Sequence, residues 1–598
     1  MRGCRLAVAV LAGAAFCGPV LAGTGFTLDV PGAGKDLRKA IEAASLTRSA
    51  SAAEDSTAQD VFAAARADYA RLVGALYDAG YYGGTISIRI DGREAAGIAP
   101  MDAPAQIAQV EIRVTPGPVF TFSKAVVAPL AKDTELPADF AAGKTARSGV
   151  IADAAQTGIS GWREIGHAKA EIGRQQITAD HRAETLAADI ALFTGPLTSF
   201  GTLHAQGNAR LRTKRLYEIA GFPSGKRFSP EALEEVRDRL RRTGIFSSVT
   251  LSEAEHLRAG NLLDGELTVI EAKTRRIGAG AEIASNDGVT LSGYWLHRNL
   301  FGGGERLRFD AEVAGIGGAT GGTDYSLAGR LDRPATFSPD TSAFLATELS
   351  RSDEEDYTEQ AFDISFGLSH IFNPRLTGEA GIGYGWSRIT DATGNSLYRT
   401  IDLPLSLTWD NRDDPADATR GYYGKAELTP FLGLSGTGSG ARLTGDFRAY
   451  HALDAGGRFV LAGRAQFGGL FGPDLDEAPR DDLFYSGGGG TVRGQPYQSL
   501  GVAVLQGGTL KTGGNRFLGV SGEIRAAITA SIGVVAFYDA GFVGLDGFSD
   551  TDGDWQSGAG LGLRYKTPIG PIRLDIAGPV SGSTGSGAQI YLGIGQAF

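Results

Sequence analysis

Arg306-Leu307-Arg308-Phe309-Asp310-Ala311-Glu312-Val313 decides the architecture of the longer half of this chain. Every second residue is apolar, and the residues between carry charge. Successive side chains of a strand point to opposite faces, so this period of two describes a strand with one apolar and one charged face. Ile401, Leu403, Leu405, Leu407 and Trp409 repeat the pattern against Asp402, Ser406, Thr408 and Asp410. Near the end, Ile590, Leu592, Ile594 and Phe598 share one face, against Gln589, Tyr591, Gly593, Gly595 and Ala597. Segments of about ten residues of this kind, separated by Gly, Asp and Asn turns, fill residues 274–598 and predict a transmembrane antiparallel β-barrel. Lipid requires every backbone group to be paired, and strands achieve this only by closing on themselves. A secreted sandwich also alternates, but this region is too long for one. At about 20 residues per strand and turn it holds about 16 strands.

Working outward, helical periodicity appears only before residue 274. Val61, Phe62, Ala65, Tyr69, Leu72, Val73 and Leu76 form one apolar helix face. Ser229-Pro230 opens a second helix, with Glu231, Glu234 and Glu235 early, Arg237, Arg239, Arg241 and Arg242 late, and Gly244 as its stop. That charge order suits the helix dipole. Three helix ends read alike: Gly80-Tyr81-Tyr82, Gly166-His167-Ala168 and Gly244-Ile245-Phe246, each leading into a strand. Gly117-Pro118-Val119 and Gly195-Pro196-Leu197 add a second marker at the same offset as the last two. The repetition predicts three small α+β units over 23–118, 119–196 and 197–273, each with room for a β–α–α–β–β order.

The first residues read as an export signal. Arg2 and Arg5 precede an apolar run from Leu6 to Phe16, and Val20-Leu21-Ala22 places the cut between Ala22 and Gly23. Both cysteines, Cys4 and Cys17, fall inside this 1–22 segment, so cleavage would leave no thiol for a disulfide, a zinc site or a nucleophile. The net charge of −11 becomes −13 when Arg2 and Arg5 leave, which argues against a nucleic-acid partner. Glycine, at 87 of 598 residues, is about twice its usual share, but without a collagen period.

Three motifs carry a family resemblance. Ser486-Gly487-Gly488-Gly489-Gly490-Thr491-Val492-Arg493-Gly494 resembles the VRG loop of the BamA-like POTRA-barrel superfamily. Phe537-Tyr538-Asp539-Ala540-Gly541 is similar to its F-x-D-x-G strand, and Gly560–Arg564 with Thr567–Asp575 to its penultimate hairpin. The ending Ile594-Gly595-Gln596-Ala597-Phe598 and the count of three POTRA-like units resemble its TamA branch in particular. Gln495 departs from the pattern, standing where the BamA-type motif has tyrosine. The resemblance implies an outer-membrane assembly factor with POTRA domains in the periplasm. Its partners would be unfolded outer-membrane and autotransporter clients, a TamB-like inner-membrane-anchored protein, and outer-membrane lipid and lipopolysaccharide. A two-partner-secretion pore shares the barrel and the loop, but would carry two POTRA units.

The residues suggest two working parts. In the first, Gly487, Gly488, Gly489 and Gly490 let a loop turn sharply and pass close to the barrel wall, and the resemblance implies that the loop folds into the barrel and docks Val492, Arg493 and Gly494 on its inner wall. Strand parity puts Glu523 and, beside Phe537, Asp539 on the lumenal face, as partners for the Arg493 guanidinium. The second is a lateral seam between a first strand at about 276–283 and a last strand over 588–598. Ile590, Leu592, Gly593, Ile594, Gly595 and Phe598 lie on that last strand, and its glycines weaken the pairing. No catalytic, cofactor or metal site is expected. Asp550-Thr551-Asp552-Gly553-Asp554 begins like a calcium loop but has Leu561 where its twelfth-position glutamate belongs. The glycine-rich segments lack a P-loop lysine, and the histidines are scattered.

Overall fold

An amphipathic helix must cover its apolar stripe with a sheet, and the first part of the chain does so three times. The computed structural model describes residues 24–598 apart from 54, 286–287, 319–320, 355, 393, 476, 506–509, 550, 568–569, 595 and 597. The export segment with its Ala22–Gly23 cut, and Gly595 of the seam, lie outside the described residues. The chain forms two compact units. One ends at Gly201 and takes in Ser224–Pro230 and His256–Leu263; the other comprises Thr202–Pro223, Glu231–Glu255 and Asp264–Phe598.

In the first unit, Gly25–Asp29, Gln109–Thr115, Thr85–Ile90 and Arg93–Glu94 form one sheet in that spatial order. The helix Ala58–Asp78 buries Val61, Phe62, Ala65, Leu72 and Leu76 against it. Thr57 and Asp60 cap this helix reciprocally. Asp68 lies on the same helix but is buried. It accepts from Ser45 Oγ at 2.6 Å and from the Leu46 and Thr47 amides at 2.8 and 3.1 Å, so it caps the preceding helix Leu46–Ala52. The next sheet joins Thr121–Ala128, Thr185–Phe193 and Glu171–Asp180, with a single helix, Ser148–Glu164. The two-helix expectation fails here. Pro129 and Pro137 interrupt the stretch where the other helix would run, and Gly143 takes a positive φ of 82°.

A third sheet, Ser199–Gln206, Leu262–Glu271 and Phe246–Glu253, carries the helices Thr213–Ala220 and Pro230–Arg242. Leu233, Val236 and Leu240 are the buried stripe of the second helix. Within the second unit these helices grip two barrel turns. Arg215 donates to the carbonyls of Gly303, Pro334 and Ala335. Arg239 and Arg242 both bind Asp340, with closest approaches of 2.8 and 2.6 Å.

The barrel follows. Its strands are β1 (Arg275–Ala284), β2 (Gly288–Arg298), β3 (Arg306–Ile316), β4 (Asp324–Arg333), β5 (Thr341–Asp353), β6 (Tyr357–Asn373) and β7 (Leu376–Asp391). Next come β8 in two pieces (Gly394–Asp402 and Leu405–Asp410), β9 (Gly421–Ser435), β10 (Gly440–Ala452) and β11 (Phe459–Phe471). The last five are β12 (Arg516–Ala527), β13 (Ile532–Gly544), β14 (Gly553–Tyr565), β15 (Ile572–Ser581) and β16 (Gln589–Ile594). Each pairs antiparallel with the next, and β1 pairs with β16 to close the ring. This is the 16-strand antiparallel barrel the alternation predicted. The break in β8 was not foreseen. Pro404 has no N–H to donate, so the ladder is interrupted there, although Ile401, Leu403, Leu405 and Leu407 all still face outward. Phe309, Phe366, Val520, Ile524 and Leu561 belong to the same exposed apolar wall. Among the described residues, no helix is long and apolar enough to cross a membrane.

Burial would raise the Asp340 carboxyl, but the hydrogen bonds from Arg239 and Arg242 outweigh it and hold it below the ordinary carboxylate range. A depressed folded value stabilises above the unfolded pKa of about 3.9 and is lost as pH falls through the folded value. The clamp is therefore fully engaged at neutral pH. Asp340→Asn should speed tryptic cleavage after Lys273, on the segment joining the third domain to β1, while leaving the barrel's heat-modifiability unchanged. Limited proteolysis in detergent measures the first effect, and unheated against heated gel mobility the second.

Candidate functional site: the lumenal loop and the barrel seam

The connection from β11 to β12 runs over 472–515 and folds back into the barrel rather than away from it. Leu483, Phe484, Leu500 and Val502 of the loop bury themselves with Phe431, Leu470, Phe517 and Val543 of the wall. Arg480 fixes one limb, donating to Asp391 Oδ2 of β7 at 2.9 Å and to Thr512 Oγ1 at 2.6 Å. Ser486 and Leu500 exchange backbone hydrogen bonds, and the tip, 487–495, hangs between them. Gly487 and Gly488 take φ of +118° and +85°, and a Cβ on Gly487 would lie 2.0 Å from the Pro496 carbonyl. Only glycine makes this turn in this space. Gly494 is equally constrained: its φ is +93°, and a Cβ would meet the Gly578 backbone at 2.7 Å.

Between these turns Arg493 enters a nest of carboxylates. Its Nε and Nη2 bind Asp539 Oδ2 and Oδ1 at 2.7 and 3.0 Å, the bidentate fork for which a guanidinium is shaped. Its Nη1 donates to Glu523 Oε1 at 2.8 Å and to Asp575 Oδ2 at 3.3 Å, and its own amide adds a bond to Asp539 at 3.1 Å. The Phe537 ring lies under the guanidinium, 3.5 Å from its carbon. All four charged side chains are at most 3% exposed. Val492 is fully buried beside them. The structure thus brings together Arg493, Glu523, Phe537 and Asp539, and adds Asp575. Parity could have found this carboxylate, because Ile572, Leu574 and Ile576 face outward and Asp575 must face in. Two further arginines complete the charge balance: Arg525 donates to Glu523 Oε2 at 2.8 Å, and Arg564 to Asp575 Oδ1 at 2.5 Å. Gln495 is no passive replacement for an aromatic ring. Its amide donates to the Ser557 and Ser581 carbonyls, both at 2.9 Å, and its oxygen accepts from Thr584 Oγ1 at 3.1 Å.

At the seam, two residue pairs join β1 to β16 among the described residues: Ile283 with Leu592, and Ala284 with Tyr591. Ser285 extends the contact by one backbone and one side-chain bond to Ile590, each 3.1 Å. By contrast, β6 and β7 pair over almost their full length. Ile590, Leu592 and Ile594 face outward as expected. Two seam residues need correction. Phe598 is not on the outer face. The strand ends at Ile594, short of 598, and Phe598 is buried with Ala418, Tyr450 and Ala462 on the inside of the barrel. Gly593 does more than weaken the strand. It leaves room for Arg573 of β15 to pass over β16 and bind Glu282 of β1 at 2.5 Å.

The Omp85 superfamily domain matches residues 299–598. The chain belongs to the Omp85 superfamily. Over 483 residues it is 24% identical to the outer membrane protein assembly factor BamA of Neisseria meningitidis serogroup B. That match covers 69% of this chain and 58% of the relative, so the chain spans less than two thirds of that protein's length. BamA from Haemophilus ducreyi lacking POTRA domains 1–3 superimposes with a TM-score of 0.61 at 18% identity, covering 79% of this chain and 100% of that one. CdiB from Acinetobacter baumannii gives 0.52 at 12% identity, covering 80% and 90%. At these identities the solved structures speak to the fold. An Omp85 barrel places the protein in the outer membrane.

Arg493→Ala would leave three buried carboxylates with two cations, a change that costs about 3–5 kcal/mol when a buried pair is broken. The folded barrel should then unfold at lower temperature in a gel-mobility series. Arg493→Lys keeps the charge but loses the fork, so it should fall between the two. An unshifted midpoint for Arg493→Ala would show that the loop is not held by this cluster.

Proposed function

We propose that this protein is an outer-membrane assembly factor of the TamA kind, which helps insert and fold β-barrel proteins and autotransporters. The observation that carries the reading is the seam. Among the described residues, two residue pairs close a 16-strand ring, so the edges of β1 and β16 are cheap to separate. A separated edge presents unpaired N–H and C=O groups to which a client strand adds by β-augmentation. The client gains hydrogen bonds and lipid-facing burial as it folds, so no nucleotide or chemical catalysis is needed.

The three α+β domains, as POTRA domains in the periplasm, would hand strands to this site and engage a TamB-like partner. Their edges differ. In the first domain Thr85–Ile90 is shielded by Arg93–Glu94, and the Glu94 carboxylate accepts from the Ile88 amide at 3.1 Å. In the second, Glu171–Asp180 pairs on one side only and is exposed along nearly its whole length. The second edge is therefore the better strand acceptor.

Reconstitution tests the reading. The full chain in vesicles of outer-membrane lipid should accelerate folding of an unfolded autotransporter barrel. Ile283→Cys with Leu592→Cys, oxidised across the seam, should abolish the acceleration, and reduction should restore it. Equal acceleration by the oxidised and reduced forms would contradict insertion through the seam. Export of one large protein without any effect on barrel folding would favour two-partner secretion.

A further inference from the structure

Beyond β16, Gln596 and Phe598 lie inside the barrel, against the same ion cluster that seats the loop. Two relays lead there from Arg493. In the first, Glu523 is shared between Arg493 and Arg525, and Arg525 Nη2 donates to the Phe598 carbonyl at 3.1 Å. The Phe598 ring lies 5.5 Å from the same guanidinium. In the second, Asp575 is shared between Arg493 and Arg564, and Arg564 Nε donates to Gln596 Oε1 at 2.9 Å. Gln596 in turn donates to Asp417 Oδ1, also at 2.9 Å. A third contact is direct. The Gly494 amide donates to Tyr591 Oη at 3.0 Å, and Tyr591 Oη donates to Gln589 Oε1 at 2.7 Å. Tyr591 pairs with Ala284 across the seam.

We infer that the loop tip is a latch on the closing strand: Arg493, through Arg525, Arg564 and Tyr591, holds β16 and its inward tail, so that seating of the loop and closure of the seam are one linked equilibrium. Electrostatics supplies the linkage. With Arg493 seated, three arginines balance Glu523, Asp539 and Asp575, and Arg525 and Arg564 each have donors left for the tail. With Arg493 withdrawn, the carboxylates carry an uncompensated charge in a buried site. Arg525 and Arg564 are then drawn fully onto them and away from Gln596 and Phe598. Tyr591 simultaneously loses the Gly494 amide. Linkage is reciprocal, so a client strand that displaces β16 must loosen the loop. Arg525, Arg564 and Tyr591 are positioning residues in this scheme. It rests on the seam being the working part of the protein, as proposed above.

The test reads the seam without any client. Both native cysteines lie within residues 1–22, so engineered pairs can be placed in an otherwise thiol-free mature barrel. Arg525→Ala and Tyr591→Phe should each lower the midpoint of heat-modifiability of the full chain by several degrees. The oxidised seam pair Ile283→Cys/Leu592→Cys should restore it. An oxidised control pair at a distant register position, Ile364→Cys/Tyr384→Cys of β6 and β7, should not. Adding Arg525→Ala to Arg493→Ala should lower the midpoint little further, because both break one relay. Equal rescue by both disulfides, rescue by neither, or fully additive losses would overturn the latch. The assembly reading fails on separate evidence: a latch demonstrated here in a protein that does not accelerate client folding would stand while that reading fell.

Discussion

A single guanidinium gripped by carboxylates from three barrel strands is the constraint on which the interior depends. Glu523, Asp539 and Asp575 project from β12, β13 and β15, and each would be ruinous to bury alone. They are tolerable because Arg493, Arg525 and Arg564 neutralise them in a site closed to water. Such a cluster adds little net stability over an apolar core of the same size, but it fixes geometry sharply. Here the geometry it fixes is that of a long loop. The glycines at 487 and 494 bring the loop into contact with the wall, and the charge network determines where it stops.

The seam shows the opposite economy. Elsewhere in the ring, neighbouring strands pair over most of their length, and side-chain contacts such as Arg464 with Asp446 between β11 and β10 only add to the ladder. Between β1 and β16 the ladder shrinks to two residue pairs among the described residues; Arg573 reaches over Gly593 to Glu282 of β1, while Tyr591 is bonded to the loop and Phe598 is turned inward among Ala418, Tyr450 and Ala462. Side-chain contacts of this kind can be exchanged one by one, whereas a full ladder separates all at once. Regions with few backbone bonds and many exchangeable contacts are those that open locally.

Much of this was legible in the sequence because parity is a strict rule. Once a strand has one outward apolar face, its other residues must face the lumen, and Glu523, Asp539 and Phe537 follow from their neighbours alone. The same rule puts Tyr591 on the inner face, and applied to β15 it would have placed Asp575 there as well. What parity does not reach is any place where the strand stops being a strand. Phe598 fits the outward phase of β16, yet the strand ends at Ile594 and the phase no longer applies. Pro404 sits inside a flawless alternation that hides its missing N–H. Gly593 reads as weakness because a sequence shows the absent side chain, while the ion pair passing through the gap joins residues 291 positions apart. Gln495 departs from the family's aromatic, and its replacement contacts come from Ser557, Ser581 and Thr584, which no local pattern links to it. In the second domain, the helix that the repeat implied gave way to Pro129 and Pro137, where backbone chemistry overrides the analogy between units.

The central claim is that the seat of Arg493 governs the closing strand in particular and not the barrel at large. Amide hydrogen exchange on the folded protein tests it most directly, comparing the native chain with Arg493→Ala under conditions where both retain heat-modifiability. Faster exchange is expected in β16 and β1 alone, with β6 and β7 unchanged. Exchange that rises evenly around the ring, or that rises only within the loop and leaves β16 as it was, would contradict it.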